Sequence, residues 1–109
     1  MPTTRKILGQ SAPAAATTTT LYLVPAATST VVSSIVVCNT SQTQATFRVA
    51  VRPTADALAV KHYLYFDHIL PGCTTFVATL GTTLGAAELI EVRASAATIS
   101  FSAFGEETA

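Results

Sequence analysis

The densest run of reactive side chains is Lys61-His62-Tyr63-Leu64-Tyr65-Phe66-Asp67-His68. Two imidazoles and a carboxylate so close together suggest a metal site or a general base. The spacing argues against both. The run reads as a β-strand, and His62 and His68 have the same parity, so they share a face. Six residues of strand separate them by about 20 Å. A metal holds its ligand nitrogens at about 2 Å and cannot bridge that gap. Asp67 and His68 are adjacent, alternate to opposite faces and form no dyad. The same alternation leaves a strand whose outer face presents Tyr63 and Tyr65. Tyrosine combines apolar area with a hydroxyl and is enriched at protein interfaces.

The remaining candidates for chemistry are sparse. Nucleophilic catalysis needs a Ser or Cys beside an oriented His, and no serine sits in a G-x-S-x-G elbow. Cys38 ends one strand and Cys73 lies in a turn; they bridge if those ends meet, and otherwise remain buried free thiols suited to a reducing compartment. Gly81 and Gly85 are isolated in a Thr-rich turn and make no phosphate loop. Arg48, Arg52 and Arg93 fall on strand faces as partners for Glu88 or Glu91. A sugar-binding sandwich needs exposed aromatics, and a glycosidase needs two carboxylates across a cleft; with no Trp and no convincing acidic pair, a carbohydrate-binding module is a remote alternative. No catalytic, cofactor or metal residue is assigned, and the chain reads as no enzyme.

Composition points the same way. Six Lys or Arg balance six Asp or Glu, and charged residues make up only 11% of the 109-residue chain, against roughly 25% in ordinary soluble domains. Hydrophobic residues make up 50%, and the mean hydropathy is +0.49. A neutral chain lacks the basic footprint of a nucleic-acid binder. No apolar run reaches the roughly 18 residues of a membrane span, because Ser33 and Ser34 interrupt the longest one. Arg5 and Lys6 precede a mildly apolar stretch, but Gly9, Gln10, Ser11 and Pro13 break it, so no signal peptide is expected. Ala, Thr and Ser stand where charge would normally keep monomers apart, which suits a surface that will be covered.

Three regions follow from these patterns: an extended N-terminal arm (1–18), a β-sandwich domain (19–105) and an acidic C-terminal tail (106–109). The arm is Ala/Thr-rich without period, and such a segment becomes ordered when a partner holds it. Arg5 and Lys6 in the arm join Tyr63 and Tyr65 as the expected interface residues. From residue 19, short Val/Ile/Thr/Phe/Tyr runs recur between Pro, Gly, Asn and Ser. They predict strands over 19–24, 30–38, 45–52, 61–69, 74–80, 88–94 and 98–104, with a loop at 54–59 and a long turn at 81–85. Pro71-Gly72 predicts a turn in which Gly supplies positive φ. The inward positions read as Leu21, Leu23, Ile35, Val37, Phe47, Val49, Leu64, Phe66, Phe76, Leu80, Ile90, Val92, Ile99 and Phe101. The sum is an all-β fold, a two-sheet antiparallel β-sandwich, jelly-roll or Ig-like, with the arm extending from it.

Several strings resemble a group of small virion proteins of tailed bacteriophages. They include Leu21-Tyr22-Leu23-Val24-Pro25-Ala26, Val31-Val32-Ser33-Ser34-Ile35-Val36-Val37-Cys38-Asn39 and Ala45-Thr46-Phe47-Arg48-Val49-Ala50-Val51. Lys61-His62-Tyr63-Leu64-Tyr65-Phe66-Asp67, Thr75-Phe76-Val77-Ala78-Thr79-Leu80-Gly81, Glu91-Val92-Arg93-Ala94-Ser95 and Ser100-Phe101-Ser102-Ala103-Phe104-Gly105 are similar in kind, so the resemblance covers most of residues 19–105. It is a fold signature, not a catalytic one. It implies a non-enzymatic structural protein of the virion, assembled in the host cytoplasm. The first expectation is a capsid decoration (cement) protein, a dimer or trimer of itself bound to a major capsid protein between capsomers. The alternative is a tail, baseplate, neck or fibre-associated module bound to tail proteins. No cofactor, nucleic acid or membrane is expected as a partner.

Overall fold

The computed structural model describes residues 3–109. The strands are β1 (Thr3–Ser11), β2 (Thr19–Leu23), β3 (Ser29–Asn39), β4 (Ala45–Pro53), β5 (Tyr63–Leu70), β6 (Thr75–Ala78), β7 (Thr82–Leu84), β8 (Glu88–Ala94) and β9 (Ile99–Thr108); a single 3-10 turn, Val60–His62, precedes β5. One sheet runs β1-β9-β3-β6 with β7 also paired to β3, and the other runs β2-β8-β4-β5. Every pairing is antiparallel. The pairs nest: β4 with β5, β3 with β6 and β7, β2 with β8, β1 with β9. That is a long hairpin rolled into two sheets, so of the two sandwich types expected the strand order selects the jelly roll.

The core lies between the sheets. Phe47, Phe101, Ile35, Leu70, Ile90 and Ile99 are its largest fully buried side chains. Each contributes about 1.5–3 kcal/mol by leaving water. The alternation that places them inward is clearest in β9, where Ile99, Phe101 and Ala103 are buried and the residues between them are not. At one end, the buried Asn39 side chain donates from Nδ2 to Thr43 O at 2.9 Å and Leu70 O at 3.2 Å, while its Oδ1 accepts from Ser41 N at 3.1 Å. One amide thus ties the β3–β4 turn to the end of β5.

Four segments differ from expectation. The first part of the arm is strand: Thr3–Ser11 pairs along β9 from Thr3↔Thr108 to Ser11↔Phe101. Its low periodicity has a physical cause, since it is an edge strand exposed on most of its length and interrupted by a bulge between Ile7 and Gly9. The acidic tail is the end of β9, and only Ala109 lies beyond the strand. The turn predicted at 81–85 contains β7, which continues the β6 lane along β3 after Gly81 turns the chain at φ 60°. In the Pro71-Gly72 turn the left-handed residue is Cys73, with φ 54°. Glycine is required at 72 for space, because a Cβ there would lie 2.1 Å from Gln42 O.

Candidate functional site

The run from Lys61 to His68 does not alternate regularly. Val49 pairs with Tyr65, but Ala50 pairs with Tyr63 and Phe47 with His68, so β5 carries extra residues on both sides of Tyr65. Asp67 adopts φ 52° within the second bulge, and bulges of this kind re-aim side chains. Tyr65 turns toward the core and packs on Phe76 and Phe47, with ring centroids 5.3 and 6.0 Å away. Tyr63 is half-buried and meets Phe66 edge-on at 4.9 Å. The two tyrosines therefore do not present one outward face, and Leu64 and Phe66, expected inside, are exposed. Leu23 and Leu80 are exposed as well, at or just beyond strand ends.

The histidines separate completely. His62 lies in the 3-10 turn, buried; its Nδ1 accepts from Ala59 N at 2.9 Å, and its Nε2 is 3.6 Å from Asp56 Oδ2 with no hydrogen bond. His68 is exposed and meets the rings of Phe76 and Phe47 at a tilt, with centroids 4.7 and 5.2 Å away. Among the described residues no group of three or more His, Cys, Asp or Glu stands together as a metal-binding set. Cys38 is partly buried and Cys73 exposed, both as free thiols.

Arg5 and Lys6 are engaged within the chain. Antiparallel pairing of β1 with β9 sets the basic pair beside the acidic one: Arg5 Nε is 3.3 Å from Glu106 Oε2, and Lys6 Nζ is 2.8 Å from Glu107 Oε1. Glu107 also accepts from the Tyr22 hydroxyl, which lies 2.9 Å from Thr30 Oγ1. Burial, with the Glu107 carboxylate next in weight, pushes the Tyr22 hydroxyl up to about 12. Lys6 first and Tyr22 second hold the Glu107 carboxyl below its usual range. This chain of contacts joins β1, β9, β2 and β3 across both sheets. The signal for it was present in sequence as a basic pair near one end and an acidic pair near the other, but nothing local placed Tyr22 between them.

The outer face of the β2-β8-β4-β5 sheet carries charge. Arg48 holds Asp67 through Nε at 2.6 Å and Nη2 at 3.1 Å, and its guanidinium lies 4.0 Å from the centre of the Phe66 ring. This contact raises Arg48 and lowers Asp67 from their ordinary values. Arg52 meets Glu91 at 2.6 Å, as expected, and its Nη1 donates to Asp56 O at 2.7 Å, drawing the 54–62 loop over this sheet. Lys61 stands 3.7 Å from Asp56. Among the described residues, ion pairs between opposite charges engage all the charged side chains except Arg93 and Glu88. Glu88 accepts from Gly85 N instead.

The outer face of the other sheet is different. Cross-strand rows place Arg5, Glu106, Val31 and Thr83 together, then Ile7, Phe104 and Ser34, then Gln10, Ser102, Val36 and Val77. Arg5–Glu106 is the only ion pair among these residues. Ile7 is 53% exposed and Val77 56%. Around Phe104 both neighbouring strands bulge, between Ile7 and Gly9 and between Val32 and Ser34. The bend leaves a groove of about 630 Å³ lined by Ile7, Val31 and Phe104, with Arg5 and Glu106 at one end. Such a surface can cover or be covered. No family model, no curated protein and no solved structure matches the chain.

Proposed function

We propose that this chain is a non-enzymatic structural subunit of a bacteriophage virion, a decoration (cement) protein seated between capsomers of the shell. Its partners are copies of itself and a major capsid protein. The observation that carries the reading is the disposal of charge. Nearly every ionic side chain is neutralised inside the chain, while large apolar side chains such as Phe66, Ile7 and Val77 stay exposed. A surface of this kind has little to hold it apart from neighbours and little desolvation to overcome. The jelly roll is one of the architectures that viral capsid domains use, and that analogy supports the reading at the level of fold alone. The resemblance of strings across most of residues 19–105 to small virion proteins implies the same role. Many modest contacts repeated over a shell resist internal pressure without any single tight bond.

The test compares particles assembled with and without the chain, counting copies per particle and following release of packaged DNA on heating or chelation. Hundreds of copies and earlier bursting of the deficient particles are the expected result. A dozen or fewer copies assigns the chain to the tail, baseplate or neck. Particles that contain none, or that burst at the same temperature with or without it, overturn the cement role.

A further inference from the structure

We infer that the outer face of the β1-β9-β3-β6 sheet is a docking surface for a second copy of the same chain. The inference rests on the reading above that the protein works among companions, and it names one of them. Three observations fit a second copy as its occupant.

The first is charge. The face carries one ion pair, Arg5–Glu106, and so has no net sign. Two copies meet there without like-charge repulsion, whereas a face built for a basic or acidic partner would display the opposite sign. The outer face of the second sheet, bearing Arg48, Arg52, Arg93, Glu91 and Asp67 and overlain by the 54–62 loop, provides the contrast within one molecule.

The second is polar satisfaction. Gln10 Nε2 already donates to Ser102 Oγ at 3.3 Å, and Ser33 Oγ to Phe104 O at 3.1 Å. Covering these groups strands few donors, so burial costs little.

The third is size and shape. Four strand lanes about 4.8 Å apart, along a central strand of 11 residues at about 3.3 Å each, make a face of roughly 700 Å². A stable interface buries about 800 Å² on each partner. A two-fold contact sets the same patch against itself. The hollow at Ile7, Val31 and Phe104 lies toward the β1 side, and Val77 stands exposed on β6 at the opposite border. A face with a hollow on one side and a projecting side chain on the other can fit its own copy turned half around.

The test is sedimentation equilibrium of the full chain from about 1 to 100 µM. The expected species has twice the chain mass of 11.3 kDa. Val77→Lys and Val31→Lys, each on the proposed face, should weaken dimerisation by roughly tenfold or more, and Thr46→Lys on the other sheet should change it less than about twofold. Circular dichroism confirms folding of each variant, and because Val77 is on an edge strand its variant decides the matter if Val31→Lys fails to fold. A wild-type chain that stays monomeric, or a dimer indifferent to Val77→Lys, overturns the inference. A monomer that still saturates DNA-free shells removes this pairing and leaves the decoration role standing; a dimer absent from particles does the reverse.

Discussion

Glu107 on β9 reaches across the end of the sandwich to accept a hydrogen bond from Tyr22 on β2, in the opposite sheet. Lys6 on β1 neutralises the same carboxylate, at 2.8 Å. A residue near the end of the chain thus holds the first strand and both sheets together.

Removing the Tyr22 hydroxyl is expected to destabilise the fold. Thr30 Oγ1 is buried and Glu107 is largely enclosed, so Tyr22→Phe leaves polar groups with fewer partners. The cost should be about 1–3 kcal/mol, a fall in Tm of roughly 4–15 °C at this chain length. Differential scanning calorimetry checks it, and an unchanged Tm would show that water replaces the hydroxyl without loss.

The same contact makes stability depend on pH at both the alkaline and the acid end. Tyr22 is raised from 10.0 to about 12, so the unfolded chain loses that proton first. Its contribution is complete below pH 10 and falls away between about 10 and 12. Glu107 is lowered from 4.5, so its contribution is present above that value and lost as pH drops through the lower folded value. Urea unfolding across pH should show both slopes. Tyr22→Phe should flatten the alkaline one; an equally steep slope in the variant would assign it to other groups.

Deleting residues 1–11 separates an arm from a strand. A detachable arm would leave the Tm unchanged. Here the deletion removes β1, strips one side of β9 of its hydrogen bonds and leaves Glu107 without Lys6. An open central strand is an aggregation template. The truncated chain should lose its cooperative thermal transition or precipitate, as read by circular dichroism and light scattering.

The Arg48–Asp67 pair should matter little to stability despite its bidentate geometry. Asp67 is about half exposed, at 48%, and exposed pairs contribute about 0–1 kcal/mol. A double-mutant cycle with Arg48→Ala and Asp67→Ala should give a coupling below about 1 kcal/mol. A larger value would mean that stacking on Phe66 makes the pair structural.

Much of the fold is legible in residue order. Alternation in β4, β8 and β9 depends only on which residue types prefer water, and a strand turns every second side chain to the same face. Hence Phe47, Val49, Ile90, Val92, Ile99 and Phe101 are found buried where their spacing puts them. The low charge is likewise a property of the chain alone. Three features required distant segments to meet. Bulges in β5 turned Tyr65 inward and Phe66 outward, because extra residues break the two-residue period and depend on the register against β4. The aperiodic first segment became a strand because β9 supplied its hydrogen-bond partners from the other end of the chain. The contrast between an outer face with several charges and one with a single ion pair arose only when rolling the hairpin sorted Arg48, Arg52 and Arg93 onto one sheet and Ile7, Val31 and Val77 onto the other, since the sharing of a sheet is set by long-range pairing that no local pattern encodes.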